Sequence, residues 1–354
     1  MSSLFDKRIP RRIYKKRARG RKDATMKPGD NMAEKKHSAF AVLDILTAYS
    51  DEDHILTAKE IMRLLEAQYG LKIERRTLYS NLDILEQSGF KVSRYEDNGK
   101  GYFLEEKQFD KGEILLLCNA LHASHFISSK QSGELIRKLL KTQSKYEAKE
   151  FQGNIYLPNS WKTSNSELMY NIRLASEAIR DHKKIRFTYM RYDRTKKLVP
   201  RRKEPYIVEP RGIVYADSRA YLIVTQSKYY DFVHYRLDRI SRASLVEETS
   251  KELPAKCDPY EYARNKLFMY AGETVSVKFL CHERIMDQMI DIFGSDVFIS
   301  PQDGEHFILS VTAGKQGVIF LAQQFLDSME ILEPESLRKE FAEELEKVLA
   351  SYKK

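Results

Sequence analysis

Between Tyr206 and Ile240 the chain reads Y-I-V-E-P-R-G-I-V-Y-A-D-S-R-A-Y-L-I-V and, after a gap of nine residues, H-Y-R-L-D-R-I. Branched apolar residues alternate with aromatics and arginines, the pattern of short strands with one buried face. Arg211, Arg219, Arg236 and Arg239 therefore belong among β-structure rather than on a solvated helix. Beside Tyr206, Tyr215, Tyr221 and Tyr235 such guanidinium groups can stack on rings and fork around phosphates. The segment has the composition of a ligand platform. For any one arginine an intradomain ion pair is an equally good reading, and for any one tyrosine a half-buried strand position is.

The 354 residues are enough for two or three domains, each with its own core. The formal charge of +9 is concentrated at one end: residues 1–22 hold ten Lys/Arg and one acid, and the remaining residues carry fifty of each sign. A segment reading K-R-I-P-R-R-I-Y-K-K-R-A-R-G-R-K buries too little apolar surface to fold alone, so residues 1–36 are expected to be a disordered basic arm. Such an arm either follows nucleic-acid phosphates or is simply a solvated tail. It lacks the apolar stretch of a secretory signal, and no window of about 18 apolar residues offers a membrane span. Cys118, Cys257 and Cys281 are odd in number and far apart, which is no disulfide framework and no Cys-x-x-Cys clip. A reducing cytoplasm is the expected compartment.

Apolar spacing predicts a helix over 37–49, a second opened by the capping box T-A-K-E at Thr57 and closed by Gly70, and a third over about 74–88. The following F-K-V-S-R-Y-E-D-N-G-K-G-Y-F-L predicts two strands around N-G-K-G. Three short helices and a hairpin are the order of a winged helix-turn-helix over 37–106, whose third helix enters the major groove. Arg75, Arg76, Thr77, Tyr79, Ser80 and Asn81 are then candidates for base edges, with Asn81 able to pair bidentately with adenine. Arg94, Lys100 and Tyr102 in the hairpin are candidates for phosphate contact. The bland alternative is a protein-binding unit of the same shape.

Residues 107–166 read as a helical connector with dimerising potential, ending in a Gly-, Pro-, Asn- and Ser-containing linker. Within it Cys118, His122 and His125 stand at i, i+4 and i+7, a spacing that shares one helix face. One helix rarely presents three ligands to one ion and no fourth is evident, so no metal and no cofactor is expected. A helix over 167–181 then leads into strands that run to about Val246. From residue 270 onward, strand, helix, two strands, helix and strand alternate before a last helix, a ferredoxin-like order.

In this order the segments resemble the WYL-domain transcriptional regulators, which combine a DeoR-like winged helix, a WYL domain and a C-terminal extension domain. The likeness covers residues 37–354. In the third helix, R-R-T-L-Y-S-N-L-D-I-L is similar to the family's pattern, with Ser80 and Asn81 where an Arg-Asp pair is common. The family's naming tripeptide stands here as Ala220-Tyr221-Leu222, without the tryptophan. The run Tyr235-Arg236-Leu237-Asp238-Arg239-Ile240 is close to its second signature. The resemblance implies an α+β multidomain chain: a winged helix-turn-helix (37–106), a Sm- or SH3-like β-barrel (167–252) and a ferredoxin-like domain (270–354). It implies a ligand site bordered by Tyr189, Arg211, Tyr221, His234 and Arg236, to which the strand pattern adds Arg239. Leu222, Leu237 and Ile240 are implied to be core, and Asp238 to hold Arg239.

The expectation is a homodimeric regulator of promoter DNA whose WYL domain senses single-stranded nucleic acid or a nucleotide, with no membrane partner. An accessory RNA- or single-stranded-DNA-binding module that modulates a nuclease is the alternative. No G-x-S-x-G, P-loop, H-E-x-x-H, G-x-G-x-x-G or paired-carboxylate motif points to an enzyme.

Overall fold

The computed structural model describes residues 28–154, 162–216, 218–225, 232–252, 257–264, 266–270 and 272–353. The chain divides into two units, one formed by Met1–Leu117 with Arg137–Ile155, the other by Cys118–Ile136 with Tyr156–Lys354. The expected connector is thus shared between the units. Residues 1–27 of the expected arm and 155–161 of the expected linker lie outside the described residues.

Helix α1 spans Pro28–Tyr49, so the last part of the expected arm is helical. Pro28 occupies the first position, where its missing N–H removes no intrahelical bond; the apolar stripe that marks the helix in the sequence begins only near His37. Helices α2 (Ala58–Tyr69) and α3 (Arg75–Gln87) follow. The capping box forms: the Glu60 N–H donates to Thr57 Oγ1 at 3.3 Å and the Thr57 N–H to Glu60 Oε2 at 2.9 Å. Gly70, at φ 67, ends α2 in the left-handed region that glycine enters without a Cβ clash. Ile45, Leu46, Ile61, Leu65, Leu78 and Leu82 are wholly buried where the three helices meet. Each such side chain contributes about 1.5–3 kcal/mol relative to its exposed state.

The hairpin after α3 is shorter than its sequence suggests. Strands β1 (Val92–Ser93) and β2 (Phe103–Leu104) pair over two residues, and a helical turn, α4 (Tyr95–Asn98), lies between them. Asn98 is the reason. Its Nδ2 donates to Ser93 Oγ and to the carbonyls of Arg94 and Gly101, while its Oδ1 accepts from the N–H groups of Lys100 and Gly101. One side chain thereby takes the backbone groups that a longer ladder would have used. The small sheet gains a third member where Leu56 and Tyr102 exchange backbone bonds of 3.0 and 2.7 Å. A Cβ on Gly101 would stand 2.3 Å from the Leu56 carbonyl oxygen, so this approach requires glycine. Helices α5 (Lys111–Ala123), α6 (Ser129–Leu140) and α7 (Lys145–Asn154) follow. Because α5 ends at Ala123, His125 is not on the helix face of Cys118 and His122. Among the described residues no three His, Cys, Asp or Glu stand close enough to hold a metal.

In the second unit, Lys162 Nζ donates to the carbonyls of Leu121 and Ser124, both at 3.1 Å, and to Ser132 Oγ at 2.8 Å. This ammonium fastens the helical segment 118–136 to the stretch of chain that begins at residue 162. Helix α8 (Leu168–Arg180) covers a sheet of six strands: β3 (Lys183–Tyr192), β4 (Leu198–Pro200), β5 (Tyr206–Ala216), β6 (Arg219–Thr225), β7 (Phe232–Arg236) and β8 (Ile240–Thr249). Their order is β4-β3-β5-β6-β7, with β8 on the other edge of β3. Among the described residues no ladder joins β7 to β8, so the sheet is open rather than the expected closed barrel. The carbonyls where β7 turns into β8 bond elsewhere. Asn165 Nδ2 takes those of Asp238 and Ile240, and Asn171 Nδ2 those of Leu237 and Ile240. Leu222, Leu237 and Ile240 lie in the core beneath α8, with Phe187 and Leu168.

Helix α9 (Pro259–Arg264) leads to the last part of the unit. There β9 (Thr274–His282), α10 (Met286–Phe293), β10 (Phe298–Pro301), β11 (His306–Gly314), α11 (Lys315–Gln324), β12 (Met329–Glu333) and α12 (Glu335–Tyr352) succeed one another. All neighbours in the sheet β10-β11-β9-β12 are antiparallel. Phe279, Met289, Leu309 and Leu321 fill its core.

Candidate functional sites

A cavity of about 530 Å³ opens beside β3, β6 and β7 and is walled by Tyr189, Tyr206, Tyr221, Tyr235, His234, Arg236, Arg201, Arg202, Val233 and Met269. Its aromatic wall is a cluster built by strand alternation. Phe187 stacks on Tyr206 at 5.6 Å, and the rings of Tyr189 and Tyr235 meet edge to face at 5.0 Å. Burial pushes the Tyr189 hydroxyl up and that of Tyr235 up to about 12, so both phenols stay protonated near neutrality. Tyr221 and Arg236 are direct partners in the β6–β7 ladder, which puts both side chains on one face.

Arg236 is oriented by Asp238, which accepts from Nε at 3.0 Å and from Nη2 at 2.6 Å. Burial alone would lower this guanidinium, and the Asp238 bonds more than reverse that. The carboxylate expected to hold Arg239 therefore holds Arg236 instead. Arg236 still has its second amino group to offer a ligand, and its main-chain N–H donates to the Tyr189 hydroxyl at 3.2 Å. Arg202 lies 3.6 Å above the Tyr206 ring, a cation–π contact, and donates to the carbonyls of Glu204 and Pro205. Three arginines and four tyrosines thus line the cavity, and among the described residues no carboxylate does. That composition favours an anion carrying a flat ring.

His234 is part of the wall but is committed to structure. Its Nε2 bonds the Met269 carbonyl at 2.5 Å, and a carbonyl only accepts, so Nε2 carries the proton and Nδ1 accepts from the Tyr262 hydroxyl at 2.9 Å. Burial pushes this imidazole below its usual range, which keeps it neutral. Arg211 departs from expectation altogether. It is buried with Glu209, bonding that carboxylate at 2.5 Å and Thr225 Oγ1 at 2.9 Å, and does not wall the cavity. Arg239 does not wall it either. Its guanidinium sits 5.7 Å from the Tyr192 ring, with a buried Nε that finds no partner.

In the other unit, α3 exposes Arg75, Arg76, Tyr79 and Ser80 on one face, with Thr77 half-buried. Lys100 is exposed in the hairpin. Three expected contact residues are used otherwise. Asn81 is 1% exposed in the helical core and accepts from Ser38 Oγ at 3.1 Å, so it has no route to a base edge. Tyr102 is buried, its ring 6.2 Å from that of Tyr79. Arg94 reaches back to α3, donating to Asp83 at 2.6 Å and to Glu86 at 2.7 and 2.9 Å, which neutralises it.

In the sequence Tyr206 and Tyr235 stand beside cations without a signal that assigns them to the site, and Arg201 and Arg202 join it only in the structure. The signal for the latter was R-R-K-E directly after Pro200, a basic turn next to a strand that carries Tyr189.

Residues 171–245 match the WYL domain family model. That match spans the strands and turns that wall the cavity, apart from Met269. No curated protein matches it in sequence. Among solved structures it is similar to proteasome accessory factor B/C (PafBC) of Arthrobacter aurescens, at 16% identity and a TM-score of 0.27, over 98% of this chain and 52% of that one. It is also similar to a structure described as a CRISPR Cas-related protein, at 13% identity and a TM-score of 0.37, over 94% of this chain and 88% of that one. The chain spans about half the length of the first of these.

Proposed function

We propose that this chain is a DNA-binding transcriptional regulator whose WYL domain senses a nucleic-acid or nucleotide ligand. The observation that carries the reading is the cavity, with protonated phenols, three guanidinium groups and no lining carboxylate among the described residues. Base–aromatic stacking contributes about 1–3 kcal/mol per base, and guanidinium forks match phosphate oxygens. The cavity suits binding rather than catalysis, because His234 has both ring nitrogens bonded and the phenols hold their protons.

The same reading takes α1 to α3 and the small sheet as a winged helix-turn-helix, with Arg75, Arg76, Tyr79 and Ser80 meeting base edges and Lys100 a phosphate. It takes the β9–β12 region as ferredoxin-like, from its β-α-β-β-α-β order and antiparallel sheet. Two copies of the chain would engage two half-sites about one helical turn apart, and ligand binding would shift the fit between them. A gel-shift on genomic fragments, with and without a short oligonucleotide, tests it. Sequence-selective retardation that responds to the oligonucleotide is expected, and retardation indifferent to sequence overturns the assignment.

A further inference from the structure

The cavity opens beside a hairpin whose charge is unusual for this chain. Residues 191–204, which run from the end of β3 through β4 to the following turn, hold seven Lys/Arg against two acids, although the chain beyond residue 22 is formally neutral. Among the described residues none of the seven lies within ion-pair distance of a carboxylate. Asp193, one of the two acids, is consumed in closing the turn, accepting from the Thr195 hydroxyl and from the N–H groups of Thr195 and Lys197.

Register decides which cations of the hairpin share a face with the cavity residues Tyr189 and Arg201. Arg191 pairs with Val199, and the Arg201 N–H continues the ladder to the Tyr189 carbonyl at 2.8 Å. Side chains directly opposite in an antiparallel pair share a face, and that face repeats every second residue. Tyr189 and Arg201, which both wall the cavity, therefore share a face with Arg191 and, at the turn, with Lys197. Arg201, Arg191 and Lys197 form successive rungs about 7 Å apart along the strand. That spacing is wider than one phosphate group and suits successive phosphates of an extended strand.

We propose that the β3–β4 hairpin is a phosphate track leading out of the tyrosine cavity. The ligand is then a single-stranded oligonucleotide several residues long, with one base in the cavity and its backbone along Arg201, Arg191 and Lys197. The proposal rests on the reading of the cavity given above and names its ligand class. A mononucleotide would fill the cavity and leave the track unused.

The test uses the full chain and fluorescently labelled oligothymidylates and oligouridylates of two and eight nucleotides, with binding followed by anisotropy across a salt series. The variant is the double substitution Arg191→Ala with Lys197→Ala, both at exposed positions. The eight-mer of at least one sugar type is expected to bind at least tenfold more tightly than its two-mer. In the variant its affinity should fall at least fivefold and its salt slope by about 1.4, roughly 0.7 for each lost phosphate contact, with two-mer binding unchanged. The basic N-terminal segment is the same in both proteins, so the difference isolates the hairpin. If the variant binds the eight-mer with the parent's affinity and slope, the track is overturned while the cavity reading stands. If Arg236→Ala leaves binding of both lengths unchanged, the cavity reading falls and the track with it.

Discussion

The pair Arg236–Asp238 sets both the cavity's charge and its stability, and a double-mutant cycle separates the two. Asp238 is 4% exposed and the Arg236 side chain 19% exposed, so neither charge can be fully hydrated if its partner is removed. Removing one member of a fully buried pair costs about 3–5 kcal/mol, and the partial exposure of Arg236 places Asp238→Ala lower, at about 2–3 kcal/mol. Arg236→Ala leaves the more deeply buried carboxylate alone and should cost about 3 kcal/mol. The double variant removes both charges and should be more stable than the sum of the singles by about 2 kcal/mol, within the usual range for coupled neighbours. Urea unfolding followed by circular dichroism reads these values as midpoint shifts at unchanged m. Asp238→Asn, which keeps the shape and loses the charge, should fall with Asp238→Ala. A coupling energy below about 0.5 kcal/mol refutes the reasoning, because independent sites add to within that margin. Oligonucleotide binding gives the second readout: Asp238→Ala should weaken it although the guanidinium remains, because the fork that aims Arg236 is gone.

Three further outcomes follow from the geometry. Arg76→Ala should weaken binding to duplex DNA and reduce the salt slope by about 1 if Arg76 meets a phosphate, or relax base preference by about 1–3 kcal/mol if it meets a guanine. Arg94→Ala, whose guanidinium is already spent on Asp83 and Glu86, should leave the slope unchanged in the same gel-shift series. The third outcome concerns acid. His234 is pushed below its ordinary value by burial, so the unfolded chain binds its proton first, and the stability it contributes is lost as pH falls from about 6.5 toward its folded value. In that window His234→Gln should remove up to about 1.4 kcal/mol per pH unit from the slope of unfolding free energy. His122→Gln is the parallel control, since burial lowers that imidazole too. An unchanged slope in His234→Gln would show that the ring is not held neutral between Met269 and Tyr262.

The parts of the fold that follow from local rules were legible in the chain. Thr57 and Glu60 announce the start of α2, Gly70 its end, and the alternation from Tyr206 to Ile240 announces β5 to β7, because each depends on neighbours a few residues away. The length of the hairpin was not legible, since it turns on how Asn98 distributes five hydrogen bonds. Openness of the sheet was not legible either, because it depends on Asn165 and Asn171, some seventy residues from the carbonyls they occupy. Asn81 shows the limit of position along a helix as a guide. It stands among the N-terminal turns that meet DNA in the winged-helix arrangement, yet the helical period turns it toward Ser38 and the core while Arg76 and Ser80 turn outward.

The arginines make the same point about the cavity. Glu209–Arg211 and Arg236–Asp238 are both acid–base pairs two residues apart, the first within β5 and the second at the end of β7 and the 3-10 turn that follows it. Both form ion pairs. Their fates diverge through contacts from elsewhere: Thr225 across the ladder takes the Arg211 Nε and the pair is sealed, whereas Arg236 faces the space beside Tyr221 and Tyr189. A sealed guanidinium holds the sheet together, and one with an unused amino group on a cavity wall can hold a ligand. Under the proposed function, Arg236 would then serve recognition while Arg211 serves cohesion of the sheet.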